Sequence, residues 1–239
     1  PKDESLWTID RSVNEVEQVR QALNLNKDNF ILLGHSWGGI LGIEYALKYQ
    51  NNLKALIISN MVPSIPDYIR YANDVLAPQL DPEVLKKIRA FEESGDYTNP
   101  EYFSLVEKHY YPKHALRMPL EKWPDPVTRS QSKLNYDIYL KMQGPSEFGV
   151  VGDALLKDWD RKDDLKKLKI PVITTISEGN LKEGYGCNVV DGTFPNMVKE
   201  GIVDPVLVTK SALKNAVSVA LTVMSADCVI SNIRMDASN

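Results

Sequence analysis

Gly34-His35-Ser36-Trp37-Gly38 puts a serine between glycines two residues before and two after it. A serine hydroxyl is a weak nucleophile until a base takes its proton and donors stabilise the oxyanion that its attack creates. Glycines at this spacing allow a sharp, strained strand-to-helix turn that holds the hydroxyl out at a strand end, so Ser36 is the candidate nucleophile. The backbone N–H of Trp37 then points where an oxyanion would form. The plain alternative is a Gly-rich turn that only packs a helix on a strand. No metal site suggests itself: Cys187 and Cys228 lie far apart, without CxxC or Cys/His ligand spacing.

The flanking elements supply the context such a turn needs. Phe30-Ile31-Leu32-Leu33 is a short continuous apolar run, expected as a strand buried on both faces of a parallel sheet. Ile40, Leu41, Ile43, Ala46 and Leu47 follow at helical spacing up to Gln50, and Ala55-Leu56-Ile57-Ile58-Ser59 reads as a second buried strand. The order is strand, tight turn, helix, strand, a βαβ unit. Upstream, Ser12-Val13-Asn14-Glu15 has capping-box spacing. It predicts an amphipathic helix over 12–24 with Val13, Val16, Val19 and Leu23 inward and Glu15, Glu17 and Arg20 on the polar face.

From Pro63 to about Asp164 the chain reads as a helical insertion rich in tyrosine, with helices expected at 66–77, 82–93, 99–109 and 131–142. Asp81 caps the second of these, with Pro82 at its first position. A β-branched run at 170–176 resumes the sheet. Beyond it, the pattern gives a short helix near 195–200, a long packed helix from Asp204-Pro205 and a terminal strand at 228–230.

The 239 residues are enough for one generous α/β domain or two small ones. The 43% hydrophobic and 25% charged content is that of a globular chain. Lys+Arg 28 against Asp+Glu 32 offers no basic field, which argues against nucleic acid as a partner. No stretch approaches the roughly 20 apolar residues of a membrane span, and cysteine usage fits a reducing, cytoplasmic setting. Pro1 in place of an initiator Met implies a fragment or a processed product.

Leu33-Gly34-His35-Ser36-Trp37-Gly38-Gly39, then Glu44-Tyr45-Ala46-Leu47-Lys48-Tyr49, resembles the proline iminopeptidases and tricorn-interacting aminopeptidases of the α/β-hydrolase superfamily. Trp123-Pro124, Tyr139 to Met142 and Gly144-Pro145-Ser146-Glu147-Phe148 are similar to the cap of that family, so the resemblance spans about residues 5–176. It implies a partial α/β-hydrolase domain over 1–176 with a helical cap at about 63–164. It also implies Ser36 as nucleophile, Trp37 as lender of an oxyanion N–H, and Glu147 as the carboxylate that binds the free α-amino group of a peptide with N-terminal proline. The bland account of Glu147 is a solvated charge after a turn. No cofactor is implied.

Three departures from the family pattern imply an impaired catalyst. Nothing N-terminal to Ser12 matches the HGGPG-type oxyanion loop; Asn180 stands where the family carries its triad acid; and the three histidines, His35, His109 and His114, all precede residue 115. A strand at 30 without its usual neighbour leaves an apolar sheet edge open to self-association.

Gly184-Tyr185-Gly186-Cys187-Asn188, Met197 to Pro205 and Val208 to Ala216 resemble the C-terminal equatorial segment of group I chaperonins over about 183–233. That resemblance implies a mainly helical chaperonin-like segment over 177–239, a chimeric join near 176–177, and Asn188 and Asp204 at nucleotide-contacting positions. The alternative for these two is a turn residue and a helix cap before Pro205.

Overall fold

Three short strands form the sheet that presents Ser36. The computed structural model describes residues 3–116 and 118–175. In it β1 (Ile31–His35), β2 (Ala55–Ser59) and β3 (Val172–Thr175) run parallel in the order β1-β2-β3. The register sets Leu33 beside Ile57 and Ile57 beside Ile173. Helix α1 (Ile9–Ala22) precedes β1, and helix α2 (Trp37–Tyr49) crosses from β1 to β2. Side chains alternate across a strand, so Leu56 and Ile58 face the core, where they join Ile40, Ile43 and Ala46 of α2 and Val13 of α1.

The strand at 30–33 is not buried on both faces. Ile31 is 51% and Leu33 62% exposed, while Phe30 and Gly34 are buried. One face of the sheet meets α2; the other has no cover among the described residues, and β1 is the outer strand of the order. An apolar run has the same sequence pattern whether one face or both are packed.

Helix α1 starts earlier than its Ser12-to-Glu15 spacing suggests. The Thr8 hydroxyl accepts the Arg11 N–H at 3.2 Å as N-cap. Ser12 then lies inside the first turn and donates to the Thr8 carbonyl. Val19 and Leu23 are exposed rather than inward, and Glu17, expected on the polar face, is buried. The Glu17 carboxylate takes two hydrogen bonds from Arg20, at 2.8 Å each, one from Tyr45 at 2.7 Å and one from Gln21 at 2.9 Å. The Arg20 hydrogen bond, helped by those of Tyr45 and Gln21 against the cost of burial, holds its pKa down at about 2.

A depressed carboxyl pKa contributes stability that is fully present above the unfolded value and is lost as pH falls through the folded one. We expect about 2 kcal/mol of the protein's stability to disappear between about pH 5 and pH 2 through Glu17. Urea melts across that range, compared with Glu17→Gln, check it: the variant should be less stable at pH 7 and its stability flatter with acid.

Between β2 and β3 the chain makes its helical excursion: α3 (Ile65–Tyr71), α4 (Pro82–Ser94), α5 (Pro100–His109), α6 (Tyr111–His114), α7 (Asp125–Gln131) and α8 (Tyr136–Met142). Helix α3 runs on into a π turn over Ala72–Leu76. Asp81 caps α4 as expected, its carboxylate accepting from the N–H groups of Glu83 and Val84. The helix expected over 131–142 begins only at Tyr136, because Asn135 caps α8 by accepting from the Ile138 N–H; α7, which the sequence pattern does not predict, ends at Gln131.

The excursion leaves and re-enters the sheet domain at one point. The Pro63 carbonyl accepts from the Arg161 N–H at 2.8 Å and Ser64 Oγ donates to Asp160 Oδ2 at 2.9 Å. Glu44 of α2 accepts from both Trp159 Nε1 and Arg161 Nε at 2.6 Å. A second apolar cluster, including Leu76, Ile88, Tyr102, Val106 and Phe148, forms the interior of the cap.

Candidate active site

Ser36 stands between the last residue of β1 and the first of α2 with φ 52° and ψ −124°. A non-glycine residue held there costs about 1–3 kcal/mol, and such strain clusters at functional positions. The surroundings enforce it. The Ser36 N–H donates to the Ser59 carbonyl at the end of β2 at 2.9 Å, and its carbonyl accepts from Gly39 at 2.7 Å. Crowding sits at Gly34 and Gly39 rather than at Gly38. A Cβ on Gly34 would fall 2.0 Å from the Gly38 carbonyl oxygen, and one on Gly39 2.7 Å from the Met61 Cβ, whereas one on Gly38 would meet nothing within 4 Å. The second glycine of the motif is therefore not sterically required by the fold.

Trp37 opens α2, so its backbone N–H is one of the four that the helix ladder leaves without an internal partner. It sits at the positive end of the helix dipole, which suits a developing oxyanion. The Trp37 indole Nε1 is buried and has no hydrogen-bond partner among the described residues.

Ser36, Trp37 and Glu147 line one cleft of about 940 Å³, with Trp7, Phe103, Tyr111, Tyr136, Tyr139 and Gln143 among its walls. Glu147 is half-buried, not a solvated charge. Gly144, at φ 110°, reverses the chain after α8 so that Glu147 returns beside that helix. Its Oε1 accepts from the Tyr139 hydroxyl at 2.8 Å and its Oε2 from Gln143 Nε2 at 3.0 Å, and its backbone carbonyl accepts from the Tyr68 hydroxyl. No lysine, arginine or histidine pairs with it among the described residues. Burial, reinforced by the Glu147 charge, pushes the Tyr139 and Tyr111 phenols well above their usual range. Both therefore stay protonated donors at neutral pH.

The loop under Glu147 is braced from below. Ser146 Oγ accepts from the N–H groups of Phe148 and Gly149 at 3.2 and 3.0 Å and lies 2.9 Å from the Tyr102 hydroxyl. Tyr102 in turn donates to Glu92 at 3.1 Å, and Glu92 pairs with Arg89. Sequence reasoning missed Gln143 and this brace. Gln143 lies four residues after Tyr139, a spacing that puts two side chains on one helix face.

Of the three histidines only His35 lines the cleft. Its Nδ1 lies 3.3 Å from Ser59 Oγ. His114 packs against the Tyr110 ring with centroids 4.9 Å apart. Among the described residues no group of His, Cys, Asp and Glu could hold a metal ion, and no helix is long and apolar enough to cross a membrane. Asn180, Asn188, Asp204, the join near 176–177 and the chaperonin-like reading of 177–239 lie outside the described residues.

The sequence model of the family described as alpha/beta hydrolase fold matches residues 1–130. The chain belongs to the α/β-hydrolase fold family. Over 173 residues, 72% of this chain and 57% of the relative, it is 53% identical to a proline iminopeptidase of Flavobacterium johnsoniae. It is 37% identical to a proline iminopeptidase of Saccharolobus solfataricus over 182 residues, 74% of this chain and 56% of the relative. Among solved structures, VinJ superposes with a TM-score of 0.64 at 26% identity, covering 72% of this chain and 57% of VinJ. A proline iminopeptidase from Mycobacterium smegmatis gives 0.58 at 31% identity, covering 71% of this chain and 55% of its own. The α/β-hydrolase chain thus spans little more than half the length of these relatives. The family match does not reach residues 177–239.

Proposed function

We propose that this α/β-hydrolase chain carries the nucleophile and the amine-binding side of a serine aminopeptidase that acts on peptides with a free N-terminal proline. The observation that carries this is a cleft-facing carboxylate, Glu147, held by two neutral donors and paired with no cation among the described residues, in the same cleft as the strained Ser36. A carboxylate so placed accepts an ammonium through charge-assisted hydrogen bonds. The identity to proline iminopeptidases supports proline as the residue that bears it.

In this scheme the ammonium docks on Glu147 and Ser36 Oγ attacks the proline's own carbonyl carbon; a prolyl ester forms as the C–N bond to the next residue breaks, the serine proton leaves with the departing amine, and water then hydrolyses the ester. The Trp37 N–H takes the oxyanion. His35 is the only imidazole lining the cleft among the described residues and is engaged with Ser59. With His35 engaged by Ser59, no free imidazole stands beside Ser36 among the described cleft-lining residues, so the serine is expected to be weakly activated and turnover slow. The bare edge of β1 is, on the same view, a surface for further strand pairing, by more chain or by a second copy. A mass in solution that stays monomeric on concentration argues against the second copy.

The test is hydrolysis of a proline-aminomethylcoumarin reporter. Ser36→Ala is expected to bring the rate to reagent background, and Glu147→Gln to raise KM about 10- to 100-fold through loss of a charged hydrogen bond. A rate indifferent to Ser36→Ala removes the nucleophile, and a KM indifferent to Glu147→Gln removes the ammonium anchor.

A further inference from the structure

We propose that Gln143 is the positioning residue that makes this subsite selective for a cationic ligand: it fixes the Glu147 carboxylate with a neutral donor, orienting the charge without cancelling it. The proposal rests on the ammonium-binding role given to Glu147 above.

Tyr139 and Gln143 are four residues apart at the end of α8 and take one carboxylate oxygen each, at 2.8 and 3.0 Å. Gln143 Nε2 also lies 3.5 Å from the Tyr139 hydroxyl, and its backbone N–H donates to the Tyr139 carbonyl at 2.8 Å, which secures the point from which the side chain reaches out. Two acceptors facing it set the amide with its NH₂ inward. A carboxylate has about four lone-pair sites, so with one bond to each oxygen its plane is fixed while acceptor capacity remains on the cleft side.

Three other buried or half-buried carboxylates of the fold are treated differently. Glu17 closes on Arg20, Glu44 on Arg161 and Glu92 on Arg89. Each of those pairs satisfies its own charge. At Glu147 the corresponding place is taken by an amide, and no cation pairs with it among the described residues, which leaves its charge open to a ligand.

The experiment is a calorimetric titration of the full chain with L-prolinamide and with N-acetyl-L-prolinamide, which lacks the ammonium. Wild type is expected to favour L-prolinamide. Gln143→Met, which keeps side-chain length and removes the donor, should weaken L-prolinamide binding about tenfold and leave the acetylated ligand unchanged. Gln143→Lys places an ammonium against Glu147 and should weaken L-prolinamide more than about 100-fold while the melting temperature holds or rises. A merely structural role would instead lower stability and weaken both ligands together. L-prolinamide affinity within twofold of wild type in either variant overturns the role of Gln143 and leaves that of Glu147 standing. Wild-type binding that is absent, or indifferent to Glu147→Gln, overturns both.

Discussion

Gly34→Ala is expected to destabilise the protein by at least about 3 kcal/mol, while Gly38→Ala, two positions beyond the serine in the same motif, stabilises it by up to about 1 kcal/mol. The added methyl at Gly34 would stand 2.0 Å from the Gly38 oxygen, 2.4 Å from its carbonyl carbon and 2.8 Å from the Gly39 nitrogen. All three are backbone atoms of the first turn of α2, so no side chain can swing aside. Relief requires lifting α2 off the end of β1, which separates Ser36 from its hydrogen bond to the Ser59 carbonyl and uncovers the core side of the sheet. At Gly38 the methyl enters open space inside a helix, where alanine restricts the unfolded chain more than glycine does. Urea unfolding of both variants checks the contrast. With a denaturant dependence of about 1–3 kcal/mol/M, the Gly34 change should move the midpoint by about 1 M or more. Equal effects at the two glycines would mean that the turn is set by the motif as a whole and not by this one contact.

That contrast shows which parts of the site the sequence displays. Ser36 and its turn are visible because strand, glycines and helix are contiguous, and β2 appears at the residues expected because a run of five apolar or small residues has one reading. The open face of the sheet is invisible in the same runs, since Ile31 and Leu33 look like core residues until their neighbours are placed. The burial of Glu17 is hidden for a related reason: a glutamate on a helix has the pattern of a solvated residue until Arg20 and Tyr45 are placed over it. Glu147 was reachable through family likeness alone, its approach to Ser36 being the product of a cap of about a hundred residues that no local pattern describes. Gln143 carried a usable signal in its spacing from Tyr139, but an amide neither titrates nor attacks, and chemistry-first reading passes over it.

Arg89→Met should cost about 3–5 kcal/mol at pH 7.5 and much less near pH 4.5. Glu92 is 6% exposed and its carboxylate is shared between Arg89 and the Tyr102 hydroxyl. Burial raises its pKa above the usual carboxylate range, and the Arg89 charge and hydrogen bond oppose that rise. A raised folded pKa means the native state holds its proton more tightly than the unfolded chain, so stability falls as pH climbs from the ordinary carboxylate range towards the folded value. Without Arg89 the folded value climbs further, and the loss deepens over a wider span of pH. Methionine keeps an unbranched apolar stem near the Phe148 ring, over which the Arg89 guanidinium lies at 4.6 Å. Thermal melts at the two pH values separate charge from packing: adding Glu92→Gln should restore most of the loss at pH 7.5 if the unpaired carboxylate causes it. A loss equal at both pH values, and untouched by Glu92→Gln, would place the effect in the Phe148 contact instead. Because Tyr102 joins Glu92 to Ser146 and so to the loop bearing Glu147, the same variant should also weaken L-prolinamide binding at pH 7.5, linking a buried ion pair in the cap to the ligand-facing carboxylate it braces.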